Sequence, residues 1–272
     1  MGVKKRNIHH FGQTPKTTLK GLNRALDVLE YIATHPGRAT DIADSLEIAW
    51  PTLHRTVSQL EAKGFLRKDP VTNFFSIGPR MWLIGTSYLG DHEVLEIARP
   101  HLDSAAEKYP YTLQMCELSG HFSVVLFSHN HMGEEITKAA LGFHFPLHCG
   151  SKGQVLLAYM GEEAIENYLA ADLEALTPKT ITDADELRAV LAAIRMDGYR
   201  VTSGDVQSFT ASIATPVFNR TGAVVATLCF ISQRSTFRNQ EVVTTSLEAL
   251  QRISTNISVA LGWKPGKSIS TT

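Results

Sequence analysis

From Leu22 onward apolar residues recur at helical spacing, through Ala25, Leu26, Leu29, Ile32 and Ala33, until His35-Pro36-Gly37 ends the run. A second, shorter helix is expected from Thr40, whose hydroxyl suits a cap toward Ile42 or Ala43. Its buried side holds Ile42, Ala43 and Leu46, and it breaks at Glu47-Ile48-Ala49. Pro51 opens a third helix, because proline in the first turn lacks only an N–H that would have no partner there. Gly64 suits the left-handed stop. Along this third helix Leu53, Val57 and Leu60 form a narrow apolar seam, and Thr52, Arg55, Thr56, Ser58 and Gln59 occupy the other faces. Alternation then takes over. Phe65-Leu66-Arg67-Lys68, a turn at residues 69–73 and Phe74-Phe75-Ser76-Ile77 predict a two-stranded hairpin, so residues 20–79 describe a winged helix-turn-helix.

Residues 79–109 predict helices broken near Gly90-Asp91, with Trp82, Leu83, Leu89, Val94, Leu95, Ile97 and Leu102 available for burial. Short strands follow at 112–118, 123–128, 211–218 and 223–232, with turns at Ser119-Gly120 and Asn219-Arg220-Thr221-Gly222. Helices are expected after Ser151, Gly161 and Asp183 and over 239–261. Hairpins interleaved with helices make an α+β domain with an antiparallel sheet. The expected plan is an arm at 1–19, a DNA-binding domain at 20–79, linker helices at 80–109, an α+β domain at 110–264 and a tail at 265–272.

Charge changes this picture. The net charge of -1 conceals a cationic piece and an anionic body. Residues 1–80 hold 12 Lys/Arg against 7 Asp/Glu, and the remainder holds 14 against 20. That asymmetry points to phosphate contact at one end and repulsion elsewhere, with chance segregation as the alternative. No apolar run approaches the roughly 18 residues of a membrane span, and Lys4-Lys5-Arg6 is followed by polar residues. A cytoplasmic protein without membrane contact is expected. Cys116, Cys149 and Cys229 are widely spaced, which suits a reducing compartment and offers no zinc ribbon.

A short helix, a tight turn and a helix with a polar outer face fit the major groove of double-stranded DNA. Arg55 suits guanine or a phosphate, Gln59 suits adenine, and Thr52, Thr56 and Ser58 suit phosphate or base edges. Thr40, Pro51 and His54 complete the candidate surface. Arg67 and Lys68 in the hairpin reach backbone or minor groove, or simply form a solvated strand edge. A winged helix also serves as a protein-interaction adaptor, and salt-sensitive DNA affinity separates the two readings.

These segments resemble a known family. Gly21-Leu22-Asn23-Arg24-Ala25-Leu26-Asp27-Val28-Leu29, Ile42-Ala43, the run from Thr52-Leu53-His54-Arg55 to Gly64-Phe65-Leu66, and Phe75-Ser76-Ile77-Gly78 resemble the IclR family of bacterial regulators. Pro146-Leu147-His148-Cys149, Gly153-Gln154-Val155-Leu156-Leu157-Ala158, Gly198-Tyr199 and Ile213-Ala214-Thr215-Pro216-Val217-Phe218 look like that family's effector-domain motifs. The likeness spans residues 20–262. It implies a GAF-like effector domain, a homodimer or homotetramer on operator DNA, and a small organic acid as effector. Carried onto this chain, the ligand lining includes Ser151, Lys152, the stretch 202–205 with Thr202 and Asp205, Ser212, Cys229 and Ile231, with Cys116 and Cys149 as further candidates.

Ser151 stands at a helix start, where free N–H groups favour a carboxylate. Lys152 either adds a charge or is a solvated helix residue. Where some relatives of very small acids carry hydroxylic residues, this chain has Cys229 and Ile231, so a larger, partly hydrophobic or aromatic acid is expected. Phe143 and Phe145 fit that wall or belong to the core.

An enzyme is the remaining rival. The chain has no His-Glu-x-x-His, Gly-x-Ser-x-Gly, Walker or dinucleotide motif. His144, His148 and Cys149, or His129 and His131, suit a metal or are satisfied loop histidines. No catalysis and no cofactor are expected.

Overall fold

The first helix, α1 (Lys20–Thr34), buries Val28 and Ile32, the inward positions of its apolar stripe. In this computed structural model, which describes residues 19–131 and 141–266, the chain divides into two units, Met1–Asp91 and His92–Thr272. Of the arm expected at 1–19 and the tail expected at 265–272, all but Leu19 and residues 265–266 lie outside the described residues.

In the first unit α1 is followed by α2 (Ala39–Ser45), α3 (Trp50–Ala62), β1 (Leu66–Lys68), β2 (Phe75–Ile77) and α4 (Pro79–Gly90). Val28, Ile32, Ile42, Ala43, Leu53, Val57, Leu66 and Phe75 form its core. Full burial of each large member stabilises by about 1.5–3 kcal/mol. Thr40 does not cap α2. Gly37 forms a β-bridge with Phe75, the helix begins at Ala39 with Arg38 as N-cap, and the Thr40 hydroxyl donates to Asp41 Oδ1 at 3.1 Å. The turn into α3 passes through Glu47 at φ 55°, and α3 opens at Trp50 with Pro51 in its first turn. Gly78 is required sterically, because a Cβ there would stand 2.3 Å from the Gly64 carbonyl oxygen.

The second unit holds α5 (Glu93–Lys108), β3 (Thr112–Ser119), β4 (Phe122–His129), β5 (His144–Pro146), α6 (Gly150–Ala158), α7 (Glu162–Leu169), α8 (Ala184–Asp197), β6 (Arg200–Ser203), β7 (Thr210–Phe218), β8 (Val224–Gln233) and α9 (Gln240–Ala260). The strands make one antiparallel sheet in the order β5-β4-β3-β8-β7-β6. The short β5 and β6 are additions to the strands expected from alternation. Asp91 and His92 separate α4, in the first unit, from α5, in the second.

Side chains alternate across a sheet, and both faces are covered here. Phe230 meets Tyr109 and Tyr111 on the face carrying α5 and α9. Ala214 and Cys229 belong with Leu147, Val155 and Leu157 to the core under α6. α6 is buried along all nine residues, including Lys152 and Gln154.

Candidate functional site: a charged cavity and a polar helix face

Antiparallel pairing sets Gln114, Cys229 and Ala214 in one row of the sheet and Ser212 and Ile231 in the next. Above these rows lies the start of α6. Between them is a cavity of about 330 Å³, to which Phe143 and Phe145 contribute from the segment at β5 and Leu176 and Val206 from loops. That volume sits near the lower end of the roughly 300–1,000 Å³ usual for small-molecule sites.

Gly150, Ser151 and Lys152 form the wall at the first turn of α6. The Gly150 N–H donates to Asp205 Oδ2 at 3.0 Å. Ser151 and Ser212 share a hydrogen bond of 2.8 Å, and Ser212 and Thr202 share one of 2.9 Å. Lys152 is only 5% exposed. Its ammonium donates to Gln114 Oε1 at 2.8 Å and lies 4.3 Å from the centre of the Phe145 ring. No carboxylate of the described residues forms an ion pair with it. A buried charge is costly unless a counter-charge or strong dipoles compensate it, so this wall favours an anion.

The structure therefore brings Ser151, Lys152, Asp205, Ser212, Cys229 and Ile231 into the lining of one cavity. Phe143 and Phe145 line it as well. Cys116, Cys149 and Thr202 are not on it. Cys116 lies fully buried beside Thr227, two residues further along β3, where α6 approaches the sheet. The Cys149 thiol faces the Glu174 carbonyl at 4.0 Å. Thr202 lines a neighbouring hollow of about 460 Å³ together with Lys179, Arg200 and Asp205, the last of which lines both. Gln114, Leu176 and Val206 are cavity residues that sequence reasoning missed. A glutamine inside the apolar run Leu113-Gln114-Met115 was the available signal for the first.

Burial raises all three thiols, Cys229 to about 12, so none is a thiolate at neutral pH. His148 is buried and satisfied: its Nε2 donates to the Glu174 carbonyl at 2.9 Å, and its Nδ1 accepts from the Tyr168 hydroxyl at 2.8 Å. Burial holds its imidazole below the ordinary histidine range. Among the described residues no group of three or more His, Cys, Asp or Glu is placed to hold a metal.

In the first unit, α3 turns Leu53 and Val57 inward and leaves Pro51, His54, Arg55 and Gln59 exposed. Thr52, Thr56 and Ser58 are half-buried, and the Thr56 hydroxyl donates to the Thr52 carbonyl at 2.9 Å. Thr40 is exposed on α2. Trp50, half-exposed and stacked on His54 with ring centres 5.0 Å apart, adds an aromatic surface not anticipated from the pattern. On the wing, the Arg67 guanidinium donates to Ser76 Oγ at 3.0 Å and the Lys68 ammonium lies 5.8 Å from the Phe75 ring.

Family models cover both units. Residues 21–70 match the IclR helix-turn-helix domain, and residues 86–259 match the bacterial transcriptional regulator IclR C-terminal domain. The chain is 31% identical over 212 residues to the HTH-type transcriptional regulator BhcR of Paracoccus denitrificans, covering 76% of this chain and 75% of that protein. It is 26% identical over 260 residues to the HTH-type transcriptional repressor AllR of Klebsiella pneumoniae, covering 93% and 95%. The crystal structure of an IclR homolog from Microbacterium hydrocarbonoxydans complexed with 4-hydroxybenzoate superposes with a TM-score of 0.75 at 25% identity, covering 89% and 98%. Among the described residues no helix is long and apolar enough to cross a membrane.

Proposed function

The chain belongs to the IclR family of bacterial transcriptional regulators, and from that premise we propose that a small organic acid, preferably aromatic, binds the cavity beside α6 and changes the protein's affinity for operator DNA. The observation that carries this reading is the buried Lys152 ammonium, which faces Gln114 and an aromatic ring instead of a carboxylate. Phe143, Phe145 and Ile231 beside it supply apolar surface for a ring. The relative solved with 4-hydroxybenzoate supports an acid of this kind.

DNA is read by the exposed side of α3, with Arg55, Gln59 and His54 toward the bases and Arg67 and Lys68 of the wing toward the backbone. The protein acts in the cytoplasm as a homodimer or a dimer of dimers. α4 supports the assembly: none of its residues is buried, and Trp82, Leu83, Ile84 and Tyr88 are each more than half exposed. Such a face is suited to a second copy.

The reading is tested by titrating the full chain onto duplexes selected from a random pool, at two salt concentrations and with and without benzoate. Specific binding that weakens steeply with salt, as phosphate contacts require, and a shift in its affinity on adding acid are expected. Salt-insensitive or absent DNA affinity would favour a protein-interaction adaptor instead.

A further inference from the structure

The first residue of α3 is a tryptophan left half in water. Trp50 is 52% exposed, and its indole lies against the His54 ring one turn along the helix, with ring centres 5.0 Å apart and planes inclined by 30°. A side chain with only two rotatable bonds, stacked on a neighbour, has little freedom left to lose when it meets a partner. The exposed part of the ring is thus a held apolar surface.

Its surroundings are polar. Pro51, His54, Arg55 and Gln59 are exposed on the same helix, and among the described residues no other large hydrophobic side chain of α2 or α3 is exposed. A protein-docking surface is a contiguous apolar patch, and a lone indole among hydrogen-bonding side chains is not one. It matches instead a surface that is polar with isolated apolar points. The major groove is such a surface: base pairs line it with donors and acceptors, and the apolar group they present there is the thymine 5-methyl. A recognition helix meets base edges with its N-terminal residues, and Trp50 is the first residue of this helix.

We propose that Trp50 reads thymine, its indole braced by His54 and packed on the 5-methyl group of an operator thymine. This rests on the assignment of α3 to DNA above and adds a base-specific contact that needs no hydrogen bond. Arg55 and Gln59 discriminate by donors and acceptors, whereas Trp50 discriminates by the presence of one methyl group. A contact of the indole with sugar or phosphate would carry no sequence information, so the two roles separate experimentally.

The test takes a duplex selected from a random pool by the full chain and replaces its thymines one at a time by deoxyuridine, which removes the methyl and keeps the pairing. At a small set of thymines the wild type should lose about fourfold in affinity, the scale of one buried methyl group. In Trp50→Ala the same replacements should cost nothing, and in Trp50→Phe, which keeps a ring, part of the methyl dependence should return. The scan on the wild type needs no variant to fold. Indifference of the wild type to every replacement, with specific binding intact, overturns the thymine contact and leaves α3 as the DNA reader. Full methyl dependence in Trp50→Ala overturns it too, as does a variant that weakens all duplexes alike. Absence of any sequence-specific binding removes the DNA assignment of α3 and this proposal together.

Discussion

The Lys152 ammonium donates to Gln114 Oε1 at 2.8 Å, joining the first turn of α6 to the sheet through a charge held by a neutral partner. Glutamine supplies a dipole where burial calls for a full counter-charge, and the proposed acid would supply that charge.

Lys152→Met should therefore weaken an aromatic acid by about 1.5–3 kcal/mol, roughly 10- to 150-fold, because it removes a charged hydrogen-bond donor and keeps the volume. Without ligand the variant should unfold no earlier than the wild type, since a buried unpaired charge has gone. Calorimetry and thermal melts measure the two effects. Unchanged acid affinity would remove Lys152 from the site.

Arg55→Ala tests the helix face. If the guanidinium pairs with guanine, specific operator affinity should fall by about 1–3 kcal/mol, and if it touches phosphate the salt slope should fall by about one unit. A gel-shift series over salt concentration distinguishes these. No change in either quantity means Arg55 lies outside the interface.

The winged helix was largely legible in the sequence because its signals are local: the periodicity of α1 and α3, the turn at Glu47 and the alternation of the hairpin. The Thr40 cap was misread because the bridge from Gly37 to Phe75 joins segments far apart in the chain. β5 and β6, of three and four residues, are too short for alternation to register. The cavity was half visible. Resemblance brought Ser151, Asp205, Ser212, Cys229 and Ile231 to notice, but not the burial of Lys152. α6 is covered on every side, so it carries no amphipathic stripe to say which residues face inward.

Gly153→Ala should destabilise the second unit by about 1–3 kcal/mol, the usual range for overpacking. A Cβ there would stand 2.6 Å from the Leu147 carbonyl oxygen, and backbone on both sides must shift to admit it. Chemical denaturation of the purified variant checks this. A neutral result would show that α6 rides less closely on the segment before it.

His148 sets a pH dependence. Its folded-state affinity for protons is held by burial below the ordinary value of 6.5, so the unfolded chain binds more protons as pH falls through that region. Stability is thus full above about pH 6.5 and declines below it. Denaturation at about pH 7.5 and about pH 5.5 should show the wild type losing more stability on acidification than His148→Gln. Equal losses would mean that His148 titrates alike in both states.

The central claim is that acid in the cavity and operator on α3 are energetically coupled, and coupling of this kind is reciprocal. The decisive measurement is the affinity of the full chain for a hydroxylated benzoate with and without saturating operator duplex, set beside operator affinity with and without that acid. The two ratios should be equal, in the range of about 5- to 150-fold expected for couplings of about 1–3 kcal/mol, and both should collapse toward one in Lys152→Met. If the acid binds at Lys152 with the same affinity whether or not DNA is present, the cavity does not regulate the DNA-binding unit and the account is wrong.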